Sequence, residues 1–227
     1  VNLRTTTWES IDGKLDLFLK DSQVEGGEYN YPLAMRIAAW NWATRMFAFH
    51  TPRQQKVVLS IGSDGRSAIL PPDSLGVQRI YNADTQRWMR HMPVQMDTDR
   101  RMEDAELGQW WVWGGTLYLE QTFKTTSADL TLYYYAYWPD VEYKSVDGKE
   151  EVVENDIITP PWAEIALCHL TAAQCLVPGS IEAARLRQWN IRIDSGTPIQ
   201  NSRAMQAREH LWWYNTLIGI VPPTDWL

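Results

Sequence analysis

Read at a two-residue period, the stretch LTLYYYAYWPD, Leu130 to Asp140, divides into two sides. Leu130, Leu132, Tyr134, Ala136 and Trp138 point one way; Thr131, Tyr133, Tyr135 and Tyr137 point the other, and neither side carries a charge. A strand that is apolar or aromatic on both sides is covered on both, by a second sheet, by helices or by another copy of the chain. Helical periodicity governs the N-terminal part. In TTWESIDGKLDLFLKD, Thr7 is placed to cap a helix with Ser10 and Asp12 early in it, and Gly13 weakens the segment. Pro32 then opens PLAMRIAAWNWATRMFAFH, in which Leu33, Ile37, Trp40, Thr44 and Phe47 form one stripe and Met35, Ala39, Trp42, Met46 and Phe49 a second. Two stripes predict a helix buried between partners, ended by Thr51 and Pro52.

From Arg53 the pattern shortens to strands punctuated by turns. In KVVLSIGSDGRSAILPPD, Asp64 and Gly65 separate two apolar runs as in a hairpin, which Pro71 and Pro72 close. GVQRIYNADTQRWMRHMPV repeats the form around Asn82 to Asp84, and Gly114 and Gly115 break QWWVWGGTLYLEQTF. Helical spacing returns at Thr159, which is predicted to cap TPPWAEIALCHLTAAQCL; Ser180 and Ser202 are predicted to cap the next two segments, and Gly219 to stop the last. The expected fold class is α+β: a helical bundle domain with an inserted antiparallel β-sandwich or small barrel. Its parts are N-terminal helices over residues 1–52, the β domain over 53–143, and an acidic connection, C-terminal helices and extended tail over 144–227.

Composition narrows the class. The chain has 227 residues, 44% hydrophobic and 22% charged, an ordinary globular balance. Its net charge of −7 argues against a general nucleic-acid binder, which gains affinity by neutralising phosphates. No run approaches the ~20 apolar residues that span a bilayer, so no membrane partner is expected and the chain is predicted to fold in a cytoplasm. Cys168 and Cys175 fall about 10 Å apart along one predicted helix, beyond disulfide reach. With His169 they supply too few ligands for a closed zinc site, and no metal or other cofactor is expected there.

Catalytic signatures are missing. There is no phosphate-cradling loop, dinucleotide fingerprint or nucleophile elbow, and His50, His91, His169 and His210 lie in separate segments. From Asp140 to Asp156, seven acidic residues face Lys144 and Lys149, a formal charge of −5. The spacing is not that of a calcium loop, and a solvated connection is expected in preference to a carboxylate pair such as Glu151 and Glu154 acting on a glycan. The chain is not expected to be an enzyme.

The helical segment with AAWNWATRMFAF, then SAILPPDSLGVQRIY, then LTLYYYAYWPDVE with its acidic stretch, then the proline-opened PPWAEIALCHLTAAQCL, resembles in that order the head-to-tail adaptor proteins of tailed phages, of the tail tubular protein A or gatekeeper type. Ile181 to Leu227 departs from that pattern. The resemblance implies a virion protein of the neck or tail, a ring subunit, commonly one of twelve, joining the portal protein to a tail or nozzle protein. Such a ring surrounds passing double-stranded DNA without binding it specifically, and an acidic lining would let the phosphates slide.

Two sets of residues are expected to meet partners. Tyr133, Tyr135 and Tyr137 would be covered in part by another subunit or by the helical domain. In GIVPPTDWL, Pro222 and Pro223 favour an extended path, and Trp226, with Asp225 and Leu227, would anchor it in a neighbouring subunit or the portal. The rival reading is a carbohydrate-binding virion protein that stacks exposed Trp and Tyr, Trp110, Trp111 and Trp113 among them, on sugar rings.

Overall fold

A computed structural model of the chain describes residues 5–21, 30–92, 108–120, 130–146, 149–153, 156–177 and 202–220. They form a mixed α+β structure with four helices and several mainly antiparallel sheets, none of them closed into a barrel. The chain divides into two compact units, one made of Val1–His50 with Trp138–Leu227 and the other of Thr51–Tyr137.

The first unit is helical. Strand β1 (Thr5–Thr7) leads into α1 (Trp8–Leu19), where the Thr7 hydroxyl accepts the Ser10 N–H at 3.3 Å, as its cap position predicts. Trp8, Ile11, Leu15 and Leu19 make its buried stripe. Helix α2 (Leu33–Ala48) follows Pro32, which sits at the cap position. One predicted stripe of α2 is the buried one: Ile37, Trp40, Thr44 and Phe47. The other is buried only in part: Ala39 is buried and Met35 and Trp42 are half-buried, but Met46 and Phe49 are exposed, while buried Arg36, Ala43 and Ala48 widen the first stripe.

Helix α3 (Glu164–Leu176) is the centre of this unit and packs against α1, α2 and α4 (Ser202–Ile220). Its buried Ala166, Ala172 and Ala173 allow close approach, and Leu167, Leu170 and Leu176 fill the space between. Thr159 is not its cap. It is buried five residues upstream, and the turn from Pro160 to Ala163, closed by the Ala163 N–H on the Pro160 carbonyl at 2.9 Å, sets the helix start. Helix α4 runs to Ile220, one residue past the Gly219 expected to stop it. The segment expected to follow Ser180 lies outside the described residues.

An ion cluster ties α1 to α2. The Arg36 side chain, 1% exposed, places Nη1 2.7 Å from both Asp12 and Asp16 and Nη2 2.9 Å from Asp21, while Nε donates to the Tyr31 carbonyl at 2.8 Å. Asp21 is fully enclosed and also accepts from the Asn30 and Tyr31 N–H groups, each at 3.0 Å. Burial raises the proton affinity of Asp21, but the Arg36, Asn30 and Tyr31 donors outweigh it and hold its carboxyl below the usual range. The return of the chain at residue 138 is fixed to α2 as well. Asn41 brackets Val141, donating to its carbonyl at 2.9 Å and accepting its N–H at 2.8 Å, and Arg45 pairs with Asp140.

The acidic connection is not simply a solvated loop. Strands β10 (Tyr143–Val146) and β11 (Lys149–Val152) pair antiparallel. Beyond it, β12 (Asp156–Ile158) pairs with β1.

The second unit consists of two four-stranded sheets. One has the order β2 (Arg53–Val58), β9 (Leu130–Ala136), β4 (Ser74–Asn82), β5 (Arg87–Trp88); the other β3 (Ser67–Ile69), β8 (Thr116–Leu119), β7 (Gln109–Trp113), β6 (Arg90–His91). Pairing is antiparallel except between β6 and β7. Leu130, Leu132, Tyr134 and Ala136 of β9 and Ile80 of β4 share a single core with Ala68, Trp110, Leu117 and Leu119 of the other sheet. The turn expected at Asp64 and Gly65 is present: Asp64 Oδ1 accepts the N–H groups of Arg66 and Ser67, and Gly65 has φ 68°. The hairpin expected around it is not, because β2 pairs with β9 and β3 with β8, leaving only the Ile61–Ala68 bridge across the turn. Buried Leu59 and Ile61 draw the chain from one sheet to the other. Asn82 does form its turn, its Oδ1 accepting from Asp84 and Thr85. Gly114 and Gly115, at φ 56° and 79°, join β7 to β8 in a left-handed geometry that β-carbons disfavour.

Candidate interaction face

Strand β9 lies between β2 and β4, so its two sides become the two faces of a sheet. The side with Leu130, Leu132, Tyr134 and Ala136 is buried, and the side with Thr131, Tyr133 and Tyr135 is half-buried, in the alternation the sequence predicts. Tyr134 is anchored through its hydroxyl to Asp73 Oδ1 at 3.2 Å; burial, and then the Asp73 charge, raises its proton affinity.

Residues directly opposite in neighbouring strands share a face. Tyr133 therefore stands between Lys56 of β2 and Arg79 of β4, Tyr135 between Gln54 and Gly76, and Thr131 between Val58 and Tyr81. Trp88 of β5 joins the row beside Tyr81. The rings meet edge to face, Tyr81 to Trp88 at 5.0 Å and Trp88 to Tyr133 at 5.4 Å between centroids. The Arg79 guanidinium lies 4.2 Å over Trp88 and 5.2 Å from the Tyr133 centroid. Part of the cover expected over Tyr133 thus comes from its own sheet. Tyr137 follows the strand, half-buried, with its N–H on the Asp73 carbonyl at 2.9 Å. The tail residues Pro222, Pro223, Asp225, Trp226 and Leu227 lie outside the described residues.

The other sheet also presents aromatic side chains outward: Trp111 stacks on Tyr118 at 5.8 Å, and Trp113, 60% exposed, lies opposite Thr116 of β8, as exposed Ile69 does on the other side of that strand. Trp110, by contrast, is buried in the core. In the helical unit, Trp212 and Trp213 of α4 are exposed and set edge to face at 4.8 Å.

Next to Trp213 lies a histidine pair that the sequence does not bring together. His169 of α3 and His210 of α4 place their Nδ1 atoms 2.9 Å apart, and Phe18 of α1 stacks on His169 at 4.3 Å. One proton serves the contact, so one ring donates and the other accepts. His210 also makes a hydrogen bond to the Phe18 backbone. Burial, and then the His210 ring, lowers the pKa of His169 to about 4; burial likewise lowers that of His210. Cys168 and Cys175 are free thiols, both pushed up to about 12 by burial. Among the described residues no group of three or more His, Cys, Asp or Glu side chains is placed to hold a metal ion, and no helix is long and apolar enough to cross a membrane.

Arg79 and Trp88 complete the face yet stand out in sequence only as the ordinary polar-side residues of short strands, because strand pairing, not sequence distance, puts them against Tyr133. No protein-family model matches the chain, and no curated protein matches it.

Proposed function

We propose that this chain is a structural virion protein, a head-to-tail adaptor subunit that forms a ring between the portal and a tail or nozzle protein and surrounds passing double-stranded DNA. In this reading the fold is a helical domain carrying an inserted β-sandwich. The shared core of the two four-stranded sheets and the assembly of the helical unit from both ends of the chain support that description. The observation that carries the function is the outward aromatic face around Tyr133: Tyr81, Trp88 and Tyr135 lie on a sheet with no acidic residue in its strands, a composition suited to burial against a protein neighbour. The order of segments resembling the adaptors gives that neighbour its identity, another copy in a ring. The role asks for no catalysis and no cofactor, and it places the protein in the neck or tail of the virion.

The test is assembly. Negative-stain images of the purified protein with a portal protein show rings if the reading holds, and free monomers beside bare portals if it fails. Trp113, exposed beside the Trp111–Tyr118 stack, favours the second reading, a carbohydrate-binding virion protein. A glycan array separates the two, since an adaptor binds no sugar.

A further inference from the structure

Two imidazoles that face each other nitrogen to nitrogen can hold one proton in the contact and no more. His169 of α3 and His210 of α4 are so placed, Nδ1 to Nδ1 at 2.9 Å with ring centroids 5.1 Å apart. With both rings neutral, one donates and the other accepts. A first added proton keeps that bond, since a charged ring then donates to a neutral one. A second breaks it, because two N–H groups point at each other and two like charges stand at the same short distance.

The surroundings favour one charge without offsetting two. Phe18 stacks on His169 at 4.3 Å and Trp213 at 6.1 Å, ring faces that attract a cation, while the Phe18 backbone and Glu209 favour charge on His210. The other charged groups on the flanking helices are engaged elsewhere or lie in solvent. Lys14 of α1 pairs with Glu164 of α3, Asp12, Asp16 and Asp21 hold Arg36, and Glu9, Lys20, Arg203 and Arg208 are exposed. Burial of the two rings outweighs what favours their charge.

Helix α4 is the element that this contact holds. Among its described side chains only Ala207 and Tyr214 are buried, one turn before and one turn after His210. The Tyr214 hydroxyl has no hydrogen-bond partner among the described residues, so hydration of that group favours undocking. Helices α1 and α2 are joined by the Arg36 cluster, which α4 does not enter. Loss of the histidine bond therefore frees α4 before it loosens the rest.

We infer that the His169–His210 contact is an acid-operated latch: it holds α4 on α3 at neutral pH and releases α4, with the other three helices still packed, when both rings carry a proton. The device goes beyond the ring reading and does not depend on it. Docked, the pair takes up protons less readily than free histidines do, so opening is favoured as pH falls from about 6.5 towards about 4.

Hydrogen exchange read by mass spectrometry on the full chain, with rates corrected for the intrinsic effect of pH, tests the inference. From about pH 7 to about pH 5, protection of Ser202–Ile220 is expected to fall by about 10-fold or more while that of α1 and α3 holds. His169→Phe with His210→Phe, which can take up no proton, is expected to keep the protection of α4 constant over that range, each protein being compared with its own value at neutral pH. His169→Gln keeps hydrogen-bonding groups and removes one of the two protons; it is expected to show a smaller fall, and it serves if the double variant does not fold. Constant protection of α4 in the wild type, a fall shared equally by α1 and α3, or an undiminished fall in the variants overturns the inference.

Discussion

Replacing Arg36 with Met keeps the volume and apolar stem of the side chain and removes the charge at the junction of α1 and α2. Three carboxylates lose their cation, and they do not suffer equally. Asp12 and Asp16 have side chains 27% and 32% exposed and recover hydration, whereas that of Asp21 is 0% exposed and cannot. Removing one partner of a buried pair costs ~3–5 kcal/mol. Asp21 keeps its bonds from Asn30 and Tyr31, which places the expected loss near the lower end, about 3 kcal/mol. At roughly 2–4 °C per kcal/mol for a chain of this size, Arg36→Met lowers the melting temperature by ~6–12 °C. Far-UV circular dichroism at neutral pH follows the helical unit. The diagnostic comparison is Arg36→Met with Asp21→Asn, in which the stranded charge is gone. The double variant is expected to be more stable than Arg36→Met alone by about 1–2 kcal/mol. A single variant within ~0.5 kcal/mol of wild type, or a double variant whose two losses add in full, would refute the reasoning.

The histidine pair predicts a pH dependence with a definite sign. His169 binds protons less readily folded than unfolded, so stability falls as pH drops from about 6.5 towards about 4, and His169→Phe flattens that slope; an equal slope in the variant would count against the pair. The lowered carboxyl of Asp21 acts below this window, with its stability lost only as pH falls under 3.8. Tyr135→Lys is expected to impair ring formation, and normal rings carrying the change would tell against a covered face. Elemental analysis of the purified protein is expected to show no stoichiometric zinc at Cys168, His169 and Cys175. Deleting Pro222 to Leu227 is expected to leave a near-normal melting temperature but abolish attachment to the portal or neighbouring copies; unfolding with binding retained would make the tail a core element instead.

What could be read in the sequence was local. The period of two in β9, the Thr7 cap, the Asn82 turn and the inner stripe of α2 each rest on residues a few positions apart, where steric and hydrogen-bonding preferences act directly. What escaped the reading depends on partners far along the chain. Arg36 sits in an apolar run and gives no sign that α1 and the turn after it supply three carboxylates. The pairing of β2 with β9 rather than with its neighbour across Asp64 and Gly65 is decided by burial of Leu59 and Ile61. His169 and His210 are 41 residues apart and meet only because α4 packs along α3. The candidate face was half legible: Tyr133 and Tyr135 came from one strand, and Lys56, Arg79 and Tyr81 from the two beside it.

Mass photometry of the wild-type chain, alone and with a portal protein, addresses the central claim most directly. Closed assembly predicts a species at an integral multiple of the chain mass that binds the portal and appears as a ring in negative stain. A chain that remains monomeric at every concentration and leaves the portal unbound would contradict it.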